Sequence, residues 1–274
     1  MTKTNQQKVK DFLINNGVII VMFILVIYTG FTSDNFFTKN NFMNILMNMS
    51  SRLVIALGIA GCVITAGCDL SAGRMIGFGA CISGMLLQRM DYSGKFFPDM
   101  QPLNVFVVAL IAMLVCAAFG TVTGFFIAYL NVPPFIATLA MMEIVYGIGL
   151  IVTNATPLGG YVEQYTNVSN GKFLGINYLI WIAIIVAAIT WFIFNMTRHG
   201  KYMYAIGGNP QAAEVAGVPV KATLILIYMK AAAMYGLAGF MLGAKAGGAS
   251  VQTGYGYEME AIAACTIGGV SVTG

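Results

Sequence analysis

The chain alternates long apolar stretches with short polar ones. A helix needs about 20 apolar residues to cross a hydrocarbon layer of about 30 Å. Runs near that length lie at 17–33, 53–67, 72–87, 103–130, 135–152, 176–196 and 222–243, and an eighth begins near Ala261. Each predicts a membrane helix. Two runs are irregular. The 103–130 run is longer than an upright helix requires, so it must tilt, protrude or break. The 53–87 stretch is interrupted at 67–73 and reads equally as two spans or as one broken pair.

Composition agrees with the pattern. The 274 residues are 58% hydrophobic and 9% charged, and the mean hydropathy is +0.81. Soluble domains carry about 25% charged residues, so this is a membrane protein. The polar, basic segment 1–16 precedes "GVIIVMFILVIYTGF" without a small-residue cleavage site, which predicts a retained first span. With residues 1–16 cytoplasmic and six crossings after them, the 198–221 loop is cytoplasmic too. The inner segments then hold Lys3, Lys8, Lys10, Arg198, Lys201 and Lys221, against Lys39, Arg89, Lys95 and Lys172 outside. That is a mild positive-inside bias.

The chemistry available is narrow. Cys62, Cys68, Cys81, Cys116 and Cys265 fall in or beside apolar runs without a Cys-x-x-Cys spacing, and read as small buried hydrophobes. The single histidine, His199, is expected at a helix end beside Arg198, where a cation complements the last carbonyls. A histidine-based metal centre is out of reach, and no cofactor or catalytic cluster is indicated. Each Gly-Lys pair (94–95, 171–172, 200–201) is followed by an aromatic residue, so the phosphate-loop pattern is not met and no ATPase site is expected. No basic, aromatic-laced stripe points to nucleic acid.

Glycines recur four apart at Gly73/Gly77, Gly120/Gly124, Gly239/Gly243 and Gly243/Gly247. That spacing puts small residues on one helix face, where two backbones can approach. Two ionisable residues, Glu143 and Lys230, lie inside apolar runs and are expected to pair or to share water, or else to snorkel from an interface. "IAGCVITAGCDLSAG" (59–73) and "IAACTIGGVSVTG" (262–274) share an Ile-Ala-x-Cys-x-Ile core, as an internal repeat would. Asp69 precedes Ser71 and either caps the next helix, pairs with Arg74, or lines a solute path.

The most polar stretch between two apolar runs is "GGNPQAAEVAG" (207–217). Asn209 suits an N-cap, Pro210 the first helical position, and Gly217 the left-handed stop, with Pro219 after it. Helices this short need a surface, because isolated ones persist only beyond roughly 12 to 15 residues. That surface is either the chain's own membrane body or a partner, toward which Ala212, Ala213 and Ala216 make a close-approach face and Glu214 adds a charge.

"GKYMYAIGGNPQAAEVAGVPV", "GCDLSAGRMIGFGA" (67–80), "NVPPFIATLAMMEIVYG" (131–147) and "GYEMEAIAACTIGGVSVTG" (256–274) together resemble permease subunits of ribose/xylose/galactose-type ABC importers. "LLQRMDYSGKFFPDM" is most similar to the galactose/methyl-galactoside branch. The resemblance implies an all-α, polytopic membrane helical bundle of the branched-chain amino acid/ribose permease type, occupying 17–274. It implies two ATP-binding cassette subunits, an extracytoplasmic sugar-binding protein and a second permease copy or paralogue as partners. Gly207, Asn209, Pro210, Ala212, Ala213, Glu214 and Gly217 match its ATPase-coupling loop. Asp69, Ser71, Gly73 and Glu258 match blocks near its translocation path, and Glu260 stands where a shorter Asp is usual. Family members continue for about two more spans past "GGVSVTG", so the resemblance also implies a fragment, or a truncated and inactive permease.

Overall fold

The structure is a computed structural model that describes residues 17–33 and 35–271. The segment 1–16 and the last residues of the proposed repeat, 272–274, lie outside them. The chain forms two compact units, divided between Leu46 and Met47.

The first unit contains α1 (Gly17–Thr32) and the opening turns of α2 (Lys39–Ile64). The hydroxyls of Thr29 and Thr32 return to the carbonyls of Leu25 and Tyr28, which keeps polar groups satisfied on an otherwise apolar helix. Thr38 Oγ1 accepts from the Asn41 amide and so caps α2. The helix starts well ahead of the apolar run at 53, because its Asn- and Ser-rich first half is polar yet still helical.

The second unit holds the rest of α2 with α3 (Ala72–Leu86), α4 (Val105–Tyr129), α5 (Pro134–Thr153), the short α6 (Glu163–Asn170), and the hairpin β1 (Lys172–Phe173) and β2 (Ile176–Asn177). It continues through α7 (Tyr178–Met196), α8 (Arg198–Gly208), α9 (Pro210–Val215), α10 (Val220–Ala246) and α11 (Tyr257–Ile267). Among the described residues, α2, α4, α5, α7 and α10 are long and apolar enough to span a membrane. The 25 residues of α4 run unbroken for about 37 Å, so the long run tilts or protrudes.

The interruption at 67–73 takes the broken form. α2 has 26 residues and reaches about 39 Å, but α3 has 15 and reaches only about 22 Å, short of the hydrocarbon thickness. Contacts along α10 fix the level. α2 runs antiparallel to α10, with Asn48 against Lys245, Gly58 against Tyr235 and Gly61 against Ile227. α3 begins where Asp69 meets Tyr235, near the middle of α10, and climbs past Gly236 and Gly239. The chain therefore leaves helical geometry at mid-membrane depth.

α10 is the central helix, packed along α4 and α3. A side chain at Gly120 would strike the Tyr228 carbonyl and Ala232, and one at Gly239 the backbone of Ile76 and Ala80. Close helix packing thus accounts for these glycines. Gly73 and Gly77 do another job: they face the non-helical stretch 251–254 and Glu258. Cys62, Cys81, Cys116 and Cys265 are buried and Cys68 is half-buried, all as free thiols. At one end of α10, Tyr165 donates to the Phe240 carbonyl (2.7 Å) and Ser169 to that of Ala244 (3.1 Å), pinning α6.

The two similar strings stop their helices alike. After Ile64, Gly67 N–H donates to the Cys62 carbonyl (2.9 Å) and Ala66 N–H to that of Val63 (3.0 Å). After Ile267, Val270 N–H donates to the Cys265 carbonyl (3.0 Å) and Gly269 N–H to that of Thr266 (3.1 Å). The left-handed residue falls at the same register, Ala66 in one and Gly269 in the other. The shared core therefore encodes a shared stop.

Gly236→Val is expected to lower the thermal stability of the detergent-solubilised protein by about 1–3 kcal/mol, since its Cβ would press on the Ala112 carbonyl. Gly147→Ala, which meets open space, is expected to leave it unchanged or slightly higher.

Candidate functional site

The short polar helix forms as its sequence directs. Thr197 closes α7 and its Oγ1 accepts from Gly200 N–H, opening α8. Asn209 Oδ1 accepts from the Ala212 amide at 2.9 Å, and Pro210 takes the first helical position of α9. At the far end Gly217 is left-handed, Val218 N–H donates to the Ala213 carbonyl (3.0 Å) and Gly217 N–H to that of Glu214 (3.0 Å). Both ends are thus closed by hydrogen bonds in a helix of six residues. Gly207 and Ala213 face inward and are buried, while Asn209, Pro210, Gln211, Ala212, Glu214, Ala216 and Gly217 are exposed. Val215 projects furthest, at 90% exposed, and was passed over in the sequence. The three alanines do not share one face: Ala213 anchors α9, and Ala212 and Ala216 turn away.

The second cluster lies at the break between α2 and α3. Asp69 is 2% exposed, and its Oδ1 accepts from both the Ser71 amide (3.0 Å) and the Ser71 hydroxyl (2.6 Å). Its Oδ2 accepts from Tyr235 OH at 3.1 Å. Thr138 on α5 donates to the Cys68 carbonyl at 3.4 Å. Asp69 therefore holds Ser71, the residue that precedes α3, without bonding the helix's own first amides, and no ion pair joins it to Arg74 among the described residues. Four residues on, Gly73 leaves the space that the Glu258 carboxylate fills. Glu258 is buried, and its Oε2 has no hydrogen-bond partner among the described residues.

Arg74 organises the neighbouring side. Its guanidinium lies between the rings of Tyr146 on α5 (3.9 Å) and Tyr255 (4.2 Å), an arrangement attractive to a cation on both faces. One nitrogen donates to Gln252 Oε1 (2.8 Å), and Gln252 Nε2 donates to Tyr146 OH (3.2 Å). The ring Arg74–Gln252–Tyr146 ties the non-helical stretch before α11 to α3 and α5. Arg74 Nε remains without a partner, as Glu258 Oε2 does. The signal for this group was in the sequence, since Arg74 is an ionisable residue inside the 72–87 apolar run. Its two tyrosines and glutamine come from distant positions that no local pattern joins.

Residues 41–274 match the family model described as branched-chain amino acid transport system / permease component. The chain belongs to this permease family. Relatives include the galactose/methyl galactoside import permease protein MglC of Escherichia coli K12, 39% identical over all of this chain and 84% of that protein. The MglC protein of Haemophilus influenzae is 41% identical over the same shares. The ribose import permease protein RbsC of E. coli K12 is 32% identical over 97% of this chain and 80% of that protein. No solved structure matches.

The permease is a multi-pass protein of the cell membrane, and two sequence expectations about its ionisable groups need correction. Glu143 is exposed on α5, which packs against α3 and α4. Lys230 is half-buried on α10 and shares a small cavity with His199, Thr190, Phe194 and Met203. Among the described residues no ion pair joins Glu143 to Lys230. His199 sits in the first turn of α8, not at a helix C-terminus. Burial there, with a smaller contribution from Lys230, pushes its imidazole down to about 4.

Two tests follow from this geometry. Asp69→Asn keeps an acceptor for the Ser71 amide, whereas Asp69→Ala strands that amide and Tyr235 OH. Thermal unfolding in detergent is expected to show Asp69→Ala the less stable by about 1–3 kcal/mol. His199 is neutral in the folded permease, while an unfolded imidazole protonates below about 6.5. Its contribution is therefore complete above that pH and is lost as pH falls toward 4. The melting temperature of His199→Gln is expected to fall less steeply over that window.

Proposed function

We propose that this permease is the membrane subunit of an ATP-driven sugar importer and forms the path for a galactose-type monosaccharide. Relatives whose names carry galactose/methyl galactoside or ribose import support the sugar class, and the higher identity to the former favours galactose. The observation that carries the mechanism is α9, closed at both ends and presenting Val215, Ala212 and Glu214 outward. An ATP-binding cassette subunit would receive it in a groove, and the 198–221 loop is then cytoplasmic with segment 1–16. Two such subunits, an extracytoplasmic sugar-binding protein and a second permease copy or paralogue complete the assembly. Hydrolysis occurs on the partner, and this chain supplies no ATPase site.

Capture works by differential contact. A cassette dimer that closes on ATP binds one position of α9 better than another, and only that difference can shift the permease between inward- and outward-open states. The break at Asp69 and Ser71, with Gly73 and Glu258 beside it, is where the membrane body can change shape beside the solute. Nothing is bonded or cleaved in the permease itself.

Reconstitution into vesicles with the cassette and binding-protein partners tests the reading. Uptake of galactose or methyl galactoside is expected only with ATP and both partners. Val215→Asp is expected to reduce it at least about tenfold, the equivalent of roughly 1.4 kcal/mol at the docking surface. Equal uptake without any cassette subunit would instead establish a stand-alone carrier.

A further inference from the structure

Toward the C-terminal end of α10, away from α9, a groove of about 740 Å³ opens between α4, α6, α7 and α10. It exists because α7 is held at its two ends. α6 meets it at one and α8 at the other, while neither α4 nor α10 packs closely along it. The depth of the groove follows from α7 itself. That helix has 19 residues and reaches about 28 Å, close to the hydrocarbon thickness of about 30 Å, so Tyr178 stands at one boundary. On α7 the lining runs from Tyr178 to Ile185, about the first 10 Å of the span. The groove is therefore confined to one leaflet.

Its chemistry is graded along that length. The exposed side chains of Asn104, Gln164 and Asn167 gather at the mouth, and Ile185, Leu237 and Phe240 line the apolar interior. Asn104 uses its Oδ1 to accept from the Phe106 amide at 2.9 Å, which leaves its side-chain NH2 as a donor. Trp181 is fixed in the wall, its Nε1 donating to the Phe173 carbonyl at 3.1 Å. Among the described residues that line the groove, none is charged. We infer that the groove seats an acyl chain of a membrane phospholipid in the leaflet opposite α9, with the mouth amides donating to its ester and phosphate oxygens. The length decides between occupants. A partner's spanning helix needs about 30 Å of apolar contact and would overrun the groove, whereas one leaflet's share of hydrocarbon is about 15 Å. A chain seated there supplies the dispersion contacts that α7 lacks on this side, and Tyr178 and Trp181 stand at the headgroup level that amphipathic rings favour.

Trp181 and Trp191 are the two tryptophans of the chain, and each can be made the single reporter of its surroundings. Trp191 is 58% exposed and lies about 15 Å further along α7, outside the groove. The probe is phosphatidylcholine brominated on its acyl chains, titrated into the detergent-solubilised full chain. In Trp191→Phe, quenching of Trp181 is expected to saturate at a lipid-to-detergent ratio at least about tenfold lower than quenching of Trp191 in Trp181→Phe. Adding Ala109→Phe to Trp191→Phe puts a ring into the groove and is expected to abolish the early quenching while thermal unfolding stays cooperative. Should that ring prevent folding, the exposed pair Gln164→Ala with Asn167→Ala is expected to shift the titration about tenfold toward higher lipid. Coincident titrations at the two tryptophans would overturn the seat and leave only a general lipid annulus. Normal quenching at Trp191 with none at Trp181 would overturn it as well, by showing the groove covered by protein.

Discussion

The constraint on which this permease depends is that no backbone polar group at membrane depth can be left to lipid. A helix satisfies the rule by itself, and a break does not. Between Ile64 and Ala72 the chain gives up its ladder, and side chains take over: Asp69 binds the Ser71 amide, Thr138 the Cys68 carbonyl, and Gly67 closes on Cys62. Tyr235 then holds Asp69 from α10. Because Asp69 takes its hydrogen bonds from within this packing, the break keeps one geometry and α3 starts at a fixed height. Everything that α3 positions, from Gly73 against Glu258 to Arg74 between its tyrosines, inherits that height.

What could be read in the sequence followed the range of each signal. The caps of α9 were legible because Asn209, Pro210 and Gly217 act on neighbours one to four residues away. The likeness of 59–73 to 262–274 was legible as a repeated string for the same reason, but the helix stops after Ile64 and Ile267 that it carries were not read from it. The start of α2 was not, since its Asn-rich turns have the hydropathy of a loop and their helicity comes from continuation into an apolar span. The Glu143–Lys230 pairing failed on a non-local question. Two charges in separate apolar runs say nothing about which faces their helices share, and among the described residues no ion pair joins Glu143 to Lys230. The Arg74 cluster fell between these cases: its charge was visible in an apolar run, but Tyr146, Gln252 and Tyr255 come together only through the fold.

Glycine spacing shows how one pattern serves two physical ends. Gly120 and Gly124 admit the backbone and side chains of α10, and Gly239 admits the backbone of α3, so the helices approach closely where apolar side chains would hold them apart. Gly73 and Gly77 use the same spacing to admit a non-helical segment and a buried carboxylate. Irregular backbone is tolerated at this depth only because α3 presents a smooth surface to it. The four-residue period is thus a statement about clearance, and the neighbour decides its use.

The last link is mechanical. α8 joins the outward-facing α9 to the membrane body, and its Met203 packs on Gly61, one turn before α2 ends. Gly200 in its first turn sits directly on the Phe194 backbone of α7, so α8 has little freedom to slide against that helix. If α9 takes the proposed coupling role, a push on it would reach α2 through these packed pieces, and would arrive where helical hydrogen bonding stops. Beyond that point the Asp69–Tyr235 bond couples the break to α10. On the proposed coupling role, a force applied at α9 would thus be delivered to a place in the bundle whose geometry is held by side chains instead of by a helix.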